Sequence, residues 1–424
     1  MPHQLGVTIR AAVDPERLSA LQDLLEEISE KGPTNDVLPF ARLGGVHFAR
    51  LFILDAADDA VDRTAAPSLV YMSEIDAPLD EHLEDVVNVA GAGLDRLFGH
   101  CIGYRDSAST REGRLRWLRD HLVDAAAYYV NTVGRGLSQI RQEAELRQAI
   151  EDFLGDPGRE LAGATPLQVR AAIQRFVDSR PDLAWARSRP EPPSRGWRAK
   201  ETAHAVAVPL ALLGLSPLLV PALPIWAAVL RWHEKRDVSS AERPTLELLR
   251  ELADAEDYVA QNPFTAVGTL KPGRFRRITA SAVLSIVDYG LRHIYNRGRL
   301  TGVDTIHFAR WVFIDDKRRL VFASNYDGSL ESYMGDFIDK VAWGLNAVFS
   351  NGEGYPRTRW LVLDGARQEQ AFKNYLHCHQ LPTHVWYSAY DTLTARNIND
   401  NARLRAGLFA ELTPADAESW LALL

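Results

Sequence analysis

Cysteine is nearly absent from this sequence: Cys101 and Cys378 are the two in 424 residues, far apart and in no metal-ligand spacing. A chain of this size with so few thiols has no disulfide framework, and a reducing compartment is expected for it. An excess of positive charge is missing as well. Lys and Arg number 48 against 56 Asp and Glu, for a net charge of −8. That balance argues against a general nucleic-acid binder, because phosphate contacts need a concentrated basic surface. The first ten residues lack the basic start and apolar run of a signal peptide, so a cytoplasmic location is expected. Neither a Gly-rich phosphate loop, nor a nucleophile elbow, nor an HExxH run occurs. No low-complexity run occurs either, and a 46% hydrophobic, 25% charged composition is that of a globular chain long enough for two or three domains.

What the sequence does contain is an internal duplication. Val46-His47-Phe48-Ala49-Arg50-Leu51 recurs as Ile306-His307-Phe308-Ala309-Arg310-Trp311, 260 residues on. Leu69-Val70-Tyr71, with Ser73 and Asp76, recurs 251 residues on as Leu320-Val321-Phe322, with Ser324 and Asp327. In a third block, offset by 258, His121, Tyr129, Ile140 and Arg147 fall on His379, Tyr387, Ile398 and Arg405. Three collinear blocks separated by small gaps are hard to obtain by chance.

Periodicity assigns the same order of elements twice. In the first half, residues 7–13 alternate as a strand and 15–28 have helical spacing. Residues 45–55 and 68–75 form a hairpin, 79–99 a helix, 125–132 a strand and 137–154 a closing helix. The second half repeats this with strand 264–270, helix 274–296, hairpin 305–315 with 319–326 around Asp316-Lys317, helix 330–349, strand 383–390 and helix 394–409. The β-α-β-β-α-β order predicts an α+β fold of two tandem ferredoxin-like units, residues 1–155 and 262–424, each with one sheet face covered by helices. Two such sheets in one chain can cover each other's remaining faces.

Residues 156–261 form the insert. A polar helix is expected over 156–180, then a proline-rich linker at 188–194. Residues 205–230 contain no charge but four prolines, Pro209, Pro217, Pro221 and Pro224. The run is long enough to span a bilayer, yet its prolines suggest two short helices broken near 216–224. Basic residues flank both ends: Arg195, Arg198 and Lys200 before, Arg231, Lys235 and Arg236 after. Symmetric flanks fit a hairpin that dips into one leaflet, giving peripheral or monotopic association with membrane lipid. A helical hairpin buried in protein, or at an oligomer contact, is the alternative.

Few residues here carry obvious chemistry. The repeated His and Arg of the H-F-A-R run suit a structural tie to backbone or carboxylate at the sheet rim; alternatively, His307 and Arg310 line a pocket between the sheets. His377, Cys378, His379 and His384 cluster without a zinc-ligand spacing. In Ser324-Asn325-Tyr326-Asp327-Gly328, Asp327 is placed to cap the helix that follows, or to act as a buried acid beside a ligand. Asn397, Asn399 and Asn401 stand where the first half has Gln139, Arg141 and Glu143, a departure that marks the second half as the specialised one.

With its two ferredoxin-like units, the chain resembles the dimeric α+β barrel superfamily and, distantly, its dye-decolourising peroxidases. The run ending in Asp327-Gly328 is the nearest match to the G-x-x-D-G motif of those enzymes, and it lacks the leading glycine. The resemblance implies a haem with His379 as axial ligand, Tyr387 and Asn325 in the cofactor site, and Asp327, Arg310 and His307 as catalytic groups acting on peroxide. It thus implies a membrane-associated, haem-dependent peroxidase-like oxidoreductase. A cofactor-free binder of lipid or a small apolar molecule, and a membrane-docked scaffold protein, are the other expectations.

Overall fold

The computed structural model describes residues 3–55, 66–156, 163–190, 192–240, 242–254 and 260–424. The first half contains β1 (Gln4–Ala12), α1 (Leu18–Lys31), β2 (Val46–Leu54), β3 (Ser68–Asp76), α2 (Leu79–Phe98), α3 (Tyr104–Ser107), α4 (Arg111–Asp120), β4 (Ala127–Val130) and α5 (Leu137–Gly155). The insert supplies α6 (Pro166–Ser179), α7 (Arg195–Glu234) and α8 (Leu246–Asp254). The second half follows with β5 (Gln261–Thr269), α9 (Arg274–His293), β6 (Ile306–Ile314), β7 (Arg319–Asp327) and α10 (Leu330–Phe349). A two-residue ribbon, β8 (Thr358–Arg359) with β9 (Leu363–Asp364), precedes α11 (Glu369–His379), β10 (Val385–Ser388), α12 (Ala395–Phe409) and α13 (Pro414–Leu421). The fold is mixed α+β.

Two four-stranded antiparallel sheets are formed, in the orders β1-β3-β2-β10 and β4-β6-β7-β5. The last strand of each half has crossed over: β10 pairs with β2, Tyr387 opposite Ala49, and β4 pairs with β6, Tyr129 opposite Ala309. Each sheet therefore takes three strands from one half and its fourth from the other.

Both faces of each sheet are buried, so its strands do not alternate simply between apolar and polar. Along β2, Ala49, Leu51 and Ile53 face the helices, while Phe48, Phe52 and Leu54 face the other sheet. In β6, Ala309 and Trp311 face the helices, and Phe308, Val312 and Ile314 face inward. Phe52, Leu54, Val70 and Met72 meet Val312, Ile314, Val321 and Ala323 in one apolar layer between the sheets. At the start of both hairpins the register shifts, between Val46 and Phe48 and between Ile306 and Phe308. These bulges let His and Phe, adjacent in sequence, point to the same side. His47 lies against Phe308 and Phe48 against His307, with ring centroids 5.5 and 5.3 Å apart.

α7 differs from the broken hairpin expected over 205–230: it is one continuous helix of 40 residues with all four prolines inside it. At 100° per residue, Pro209, Pro217, Pro221 and Pro224 fall within an arc of about 120°. The lost N–H donors thus lie on one side, and the hydrogen-bond ladder survives on the others. The N-terminal half of the insert packs down instead. α6 joins α5, α12 and α13 around Ile150, Ile173, Val177, Leu404 and Trp420.

Candidate functional site

Between the sheets, two arginines clasp the opposite sheet in matching ways. Arg310 donates through Nη1 to the Val7 carbonyl and to Thr8 Oγ1 (3.1 Å), and through Nη2 to the Ser73 carbonyl (2.7 Å) and the Glu74 carboxylate. Arg50 donates through Nη1 to the Phe264 carbonyl (2.7 Å) and Thr265 Oγ1 (2.8 Å), and through Nη2 to the Ser324 carbonyl (2.7 Å) and Asn325 Oδ1 (2.5 Å). Both side chains are fully buried. Arg310 faces a carboxylate and Arg50 an amide, so burial pushes the Arg50 guanidinium down to about 10. A guanidinium with four acceptors around it is committed to holding the sheets together, and Arg310 is not free to stabilise a charge elsewhere.

The histidines are tied down in the same paired fashion. His307 Nε2 lies 2.7 Å from Asp327 Oδ1, and Asp327 Oδ2 accepts from the Ala395 N–H (2.7 Å). His47 Nε2 lies 3.0 Å from Asp76 Oδ1, and Asp76 Oδ2 accepts from the Leu137 N–H (2.9 Å). Asp327 was expected to cap the helix directly after it. Ser329 caps α10 instead, and Asp327 serves the distant N-terminus of α12. His47 also reaches Tyr390: with its hydrogen on Nε2 donated to Asp76, Nδ1 accepts from the Tyr390 hydroxyl at 3.0 Å. Tyr390 is contributed by the second half.

The six residues that the resemblance assigns to a haem site are not brought together. His307 and Asp327 touch, and Asn325 lies beside them in β7, bonded to Arg50. Tyr387 instead stacks on Phe40, 5.1 Å away, in the core on the helix-covered side of the first sheet. His379 ends α11 on the helix side of the second sheet. Its Nδ1–H donates to the Tyr375 carbonyl at 2.7 Å, and its ring lies 4.1 Å from that of Tyr375. His121 repeats this arrangement on Trp117, at 2.8 and 3.9 Å. The cavity bordered by His379 has a volume of about 20 Å³, and the one beside His307 about 30 Å³. Pockets for ligands of this class run to about 300–1,000 Å³. With the intersheet layer filled by side chains and Arg310 and Asp327 engaged elsewhere, the residues do not fit a haem, nor a small apolar ligand between the sheets. Among the described residues, no group of three His, Cys, Asp or Glu side chains is placed to hold a metal ion.

A different feature is an exposed apolar helix. α7 is the one helix among the described residues long and apolar enough to cross a membrane, and none of its most apolar 18-residue stretch is buried. Eleven large aliphatic side chains between 205 and 230 are exposed, among them Leu213 (69%), Leu218 (71%) and Ile225 (68%). The helix runs antiparallel along α9. His204 Nδ1 meets His293 Nε2 at 2.8 Å, Tyr289 donates to the Ala205 carbonyl at 3.1 Å, and Trp226 Nε1 donates to Thr279 at 3.2 Å. At its C-terminal end the buried Glu234 carboxylate accepts from the Trp360 and Leu361 N–H groups (3.0 and 2.7 Å) and pairs with Arg231 (2.8 Å). Trp226 lies toward the C-terminal end of the apolar run, Trp232 follows it, Trp197 precedes it, and Arg236 sits 4.0 Å over the Trp232 ring. α9 adds Ile278 and Ile286, exposed at 67% and 70%.

No protein-family model matches this chain, and no curated protein matches it in sequence.

Proposed function

We propose that this is a membrane-docked scaffold protein, in which two ferredoxin-like units that exchange their last strands form a body held at a cytoplasmic lipid surface by α7. The observation that carries the reading is the 26-residue uncharged run 205–230, helical throughout and open to solvent over most of its length, up to the buried Leu230 at its end. Water is a poor solvent for such a surface: each Leu, Ile or Val transferred into hydrocarbon contributes about 1.5–3 kcal/mol, and contiguous apolar patches of this extent mark interaction sites. Lipid is favoured as the occupant by the chemistry at the ends. Tryptophans and basic side chains flank the run on both sides, and these groups anchor at the level of lipid headgroups. Because α7 is tied to α9 near both ends, the body lies alongside the helix, which favours an in-plane, monotopic seat over a free-standing span.

The fold part of the proposal is supported by the repeated strand order and by the matching Arg50 and Arg310 clasps. A haem-dependent peroxidase step forms no part of it.

The test is flotation of the full-length protein with phosphatidylcholine vesicles, beside L213E/L218E. The parent is expected to float and the variant, whose changed side chains touch no core, to remain at the bottom while keeping its melting transition. A parent that is soluble and monomeric without detergent, and ignores vesicles, rejects the reading.

A further inference from the structure

At the end of the second sheet, where α12 begins, an open cleft of about 870 Å³ is lined by five arginines: Arg135, Arg297, Arg299, Arg396 and Arg403. Two carboxylates, Asp304 and Asp400, share the lining, leaving an excess of three positive charges (five Arg less two Asp). Asp400 is already taken by Arg403 at 3.1 Å, with Arg396 4.0 Å away. Among the described residues, neither Arg297 nor Arg299 has a carboxylate within 4 Å, and both are exposed. Arg135 is half-buried. Its Nη1 donates to the Ile398 carbonyl (3.3 Å) and Asn399 Oδ1 (2.9 Å), both neutral, and burial pushes its guanidinium down.

The duplication provides an internal control. Through the offsets of the two flanking blocks, Arg297 and Arg299 correspond to Val37 and Pro39, Arg396 and Arg403 to Ser138 and Glu145, and Arg135 to Leu393. None of the five equivalents is basic, so the architecture does not demand arginine at these places. Like charges gathered without structural need repel one another, and an anion offsets that repulsion. The planar fork of arginine matches phosphate oxygens in a bidentate way that lysine does not; the five cleft cations are all arginine.

We propose that this cleft binds a phosphate-bearing organic anion. Its volume exceeds what one inorganic phosphate fills and lies within the range of small-molecule sites. Two sources share this chemistry: a soluble phosphorylated metabolite and the headgroup of an anionic lipid. The second has a structural argument of its own. The first turns of α7, just before the apolar run, touch the cleft's neighbours on two paths: His204 meets His293, four residues before Arg297, and Trp197 stacks on His3, next to Gln4, whose carboxamide donates to the Arg135 carbonyl. The proposal does not rest on membrane docking through α7.

Titration of the full-length protein in detergent with pyrophosphate, and flotation with phosphatidylcholine vesicles with and without phosphatidylglycerol, test it against R297E/R299E. Both changed side chains are exposed, so the fold is retained, as an unchanged melting transition without ligand will confirm. Pyrophosphate affinity that falls by about tenfold or more in the variant supports the proposal and assigns the soluble source. A loss confined to the gain in binding from phosphatidylglycerol supports it and assigns the lipid source. Loss of binding to pure phosphatidylcholine would concern α7 instead, and is read from L213E/L218E. Equal behaviour of parent and variant toward both anions, including no binding by either, overturns the proposal.

Discussion

Glu74 and Asn325 stand at equivalent positions in the two sheets, each accepting from the arginine that reaches across from the other, yet only Glu74 carries a charge. Two buried guanidinium groups thus share one carboxylate. Removing one member of a buried ion pair typically costs about 3–5 kcal/mol, since it leaves a desolvated charge unopposed. Glu74→Gln is therefore expected to lower unfolding stability by that order in a denaturant titration. Asn325→Asp is expected to raise stability near neutral pH by giving Arg50 its own carboxylate. In the double variant E74Q/N325D the carboxylate moves from one arginine to the other, and much of the single-variant loss should return. A double variant no more stable than E74Q would show that the clasp is not electrostatic.

Acid sensitivity has an identifiable source in His82. It is buried in α2 with Nε2 lacking a partner, and burial pushes its pKa down to about 4. The unfolded chain, titrating near 6.5, binds more protons than the folded one between those values. Stability is therefore full above about pH 6.5 and is lost as pH falls toward 4, by about 3 kcal/mol from this group. Burial lowers His377 and His384 too, with the same sign. His82→Leu should flatten the fall in melting temperature between pH 7 and 4.5; an unchanged slope would place the acid sensitivity elsewhere.

The two cysteines should differ in reactivity. Burial pushes Cys101 up to about 12, leaving almost no thiolate at neutral pH, whereas Cys378 is half-exposed and raised less. An alkylating reagent at pH 8 is expected to modify Cys378 in the folded protein and both residues in denaturant, with mass spectrometry giving the count and position. Modification of Cys101 at a comparable rate would mean that the first core opens readily.

How much of this was legible in the sequence depends on how local each signal is. The hairpins and their helices could be read because each half repeats them: Val46–Leu54 and Ile306–Ile314 share pattern and neighbours. The exchange of β4 and β10 could not. Each is a four-residue strand, and the duplication makes the two similar, so pairing within a half and pairing across halves present the same pattern. Asp327 was visible as a capping residue, but its helix begins 68 residues later, beyond any sequence window. Taken singly, the prolines of α7 predict a break; their shared arc is what permits a continuous helix. The resemblance makes His379 a ligand, whereas its repeat partner His121 points to the structural role that both show. The arginine cleft draws on three separate segments, around 135, 297–299 and 396–403, none basic enough by itself to stand out. The one hint was Asn399, noted as a departure from the repeat, which bonds Arg135 in the structure.

Strand exchange makes a further demand on folding. The first half alone, residues 1–155, would lack β10, exposing the edge of β2 at Phe48–Leu51. Its own β4 would have no β6 to pair with. It would also leave Phe52, Leu54, Val70 and Met72 without the inner layer of the second sheet, and Glu74 without Arg310. Unpaired edges and an open apolar face are aggregation signals. The fragment 1–155 is therefore expected to be insoluble or unfolded when expressed alone, and 262–424 likewise. Co-expressed as 1–190 and 242–424, the pieces should associate and co-purify, because the intersheet layer and the crossed strands lie outside the missing segment. Circular dichroism and a cooperative melt on the reconstituted pair provide the measurement. A fragment 1–155 that is monomeric and melts cooperatively by itself would show that β4 can return to its own half, and that the exchanged arrangement is not the preferred one.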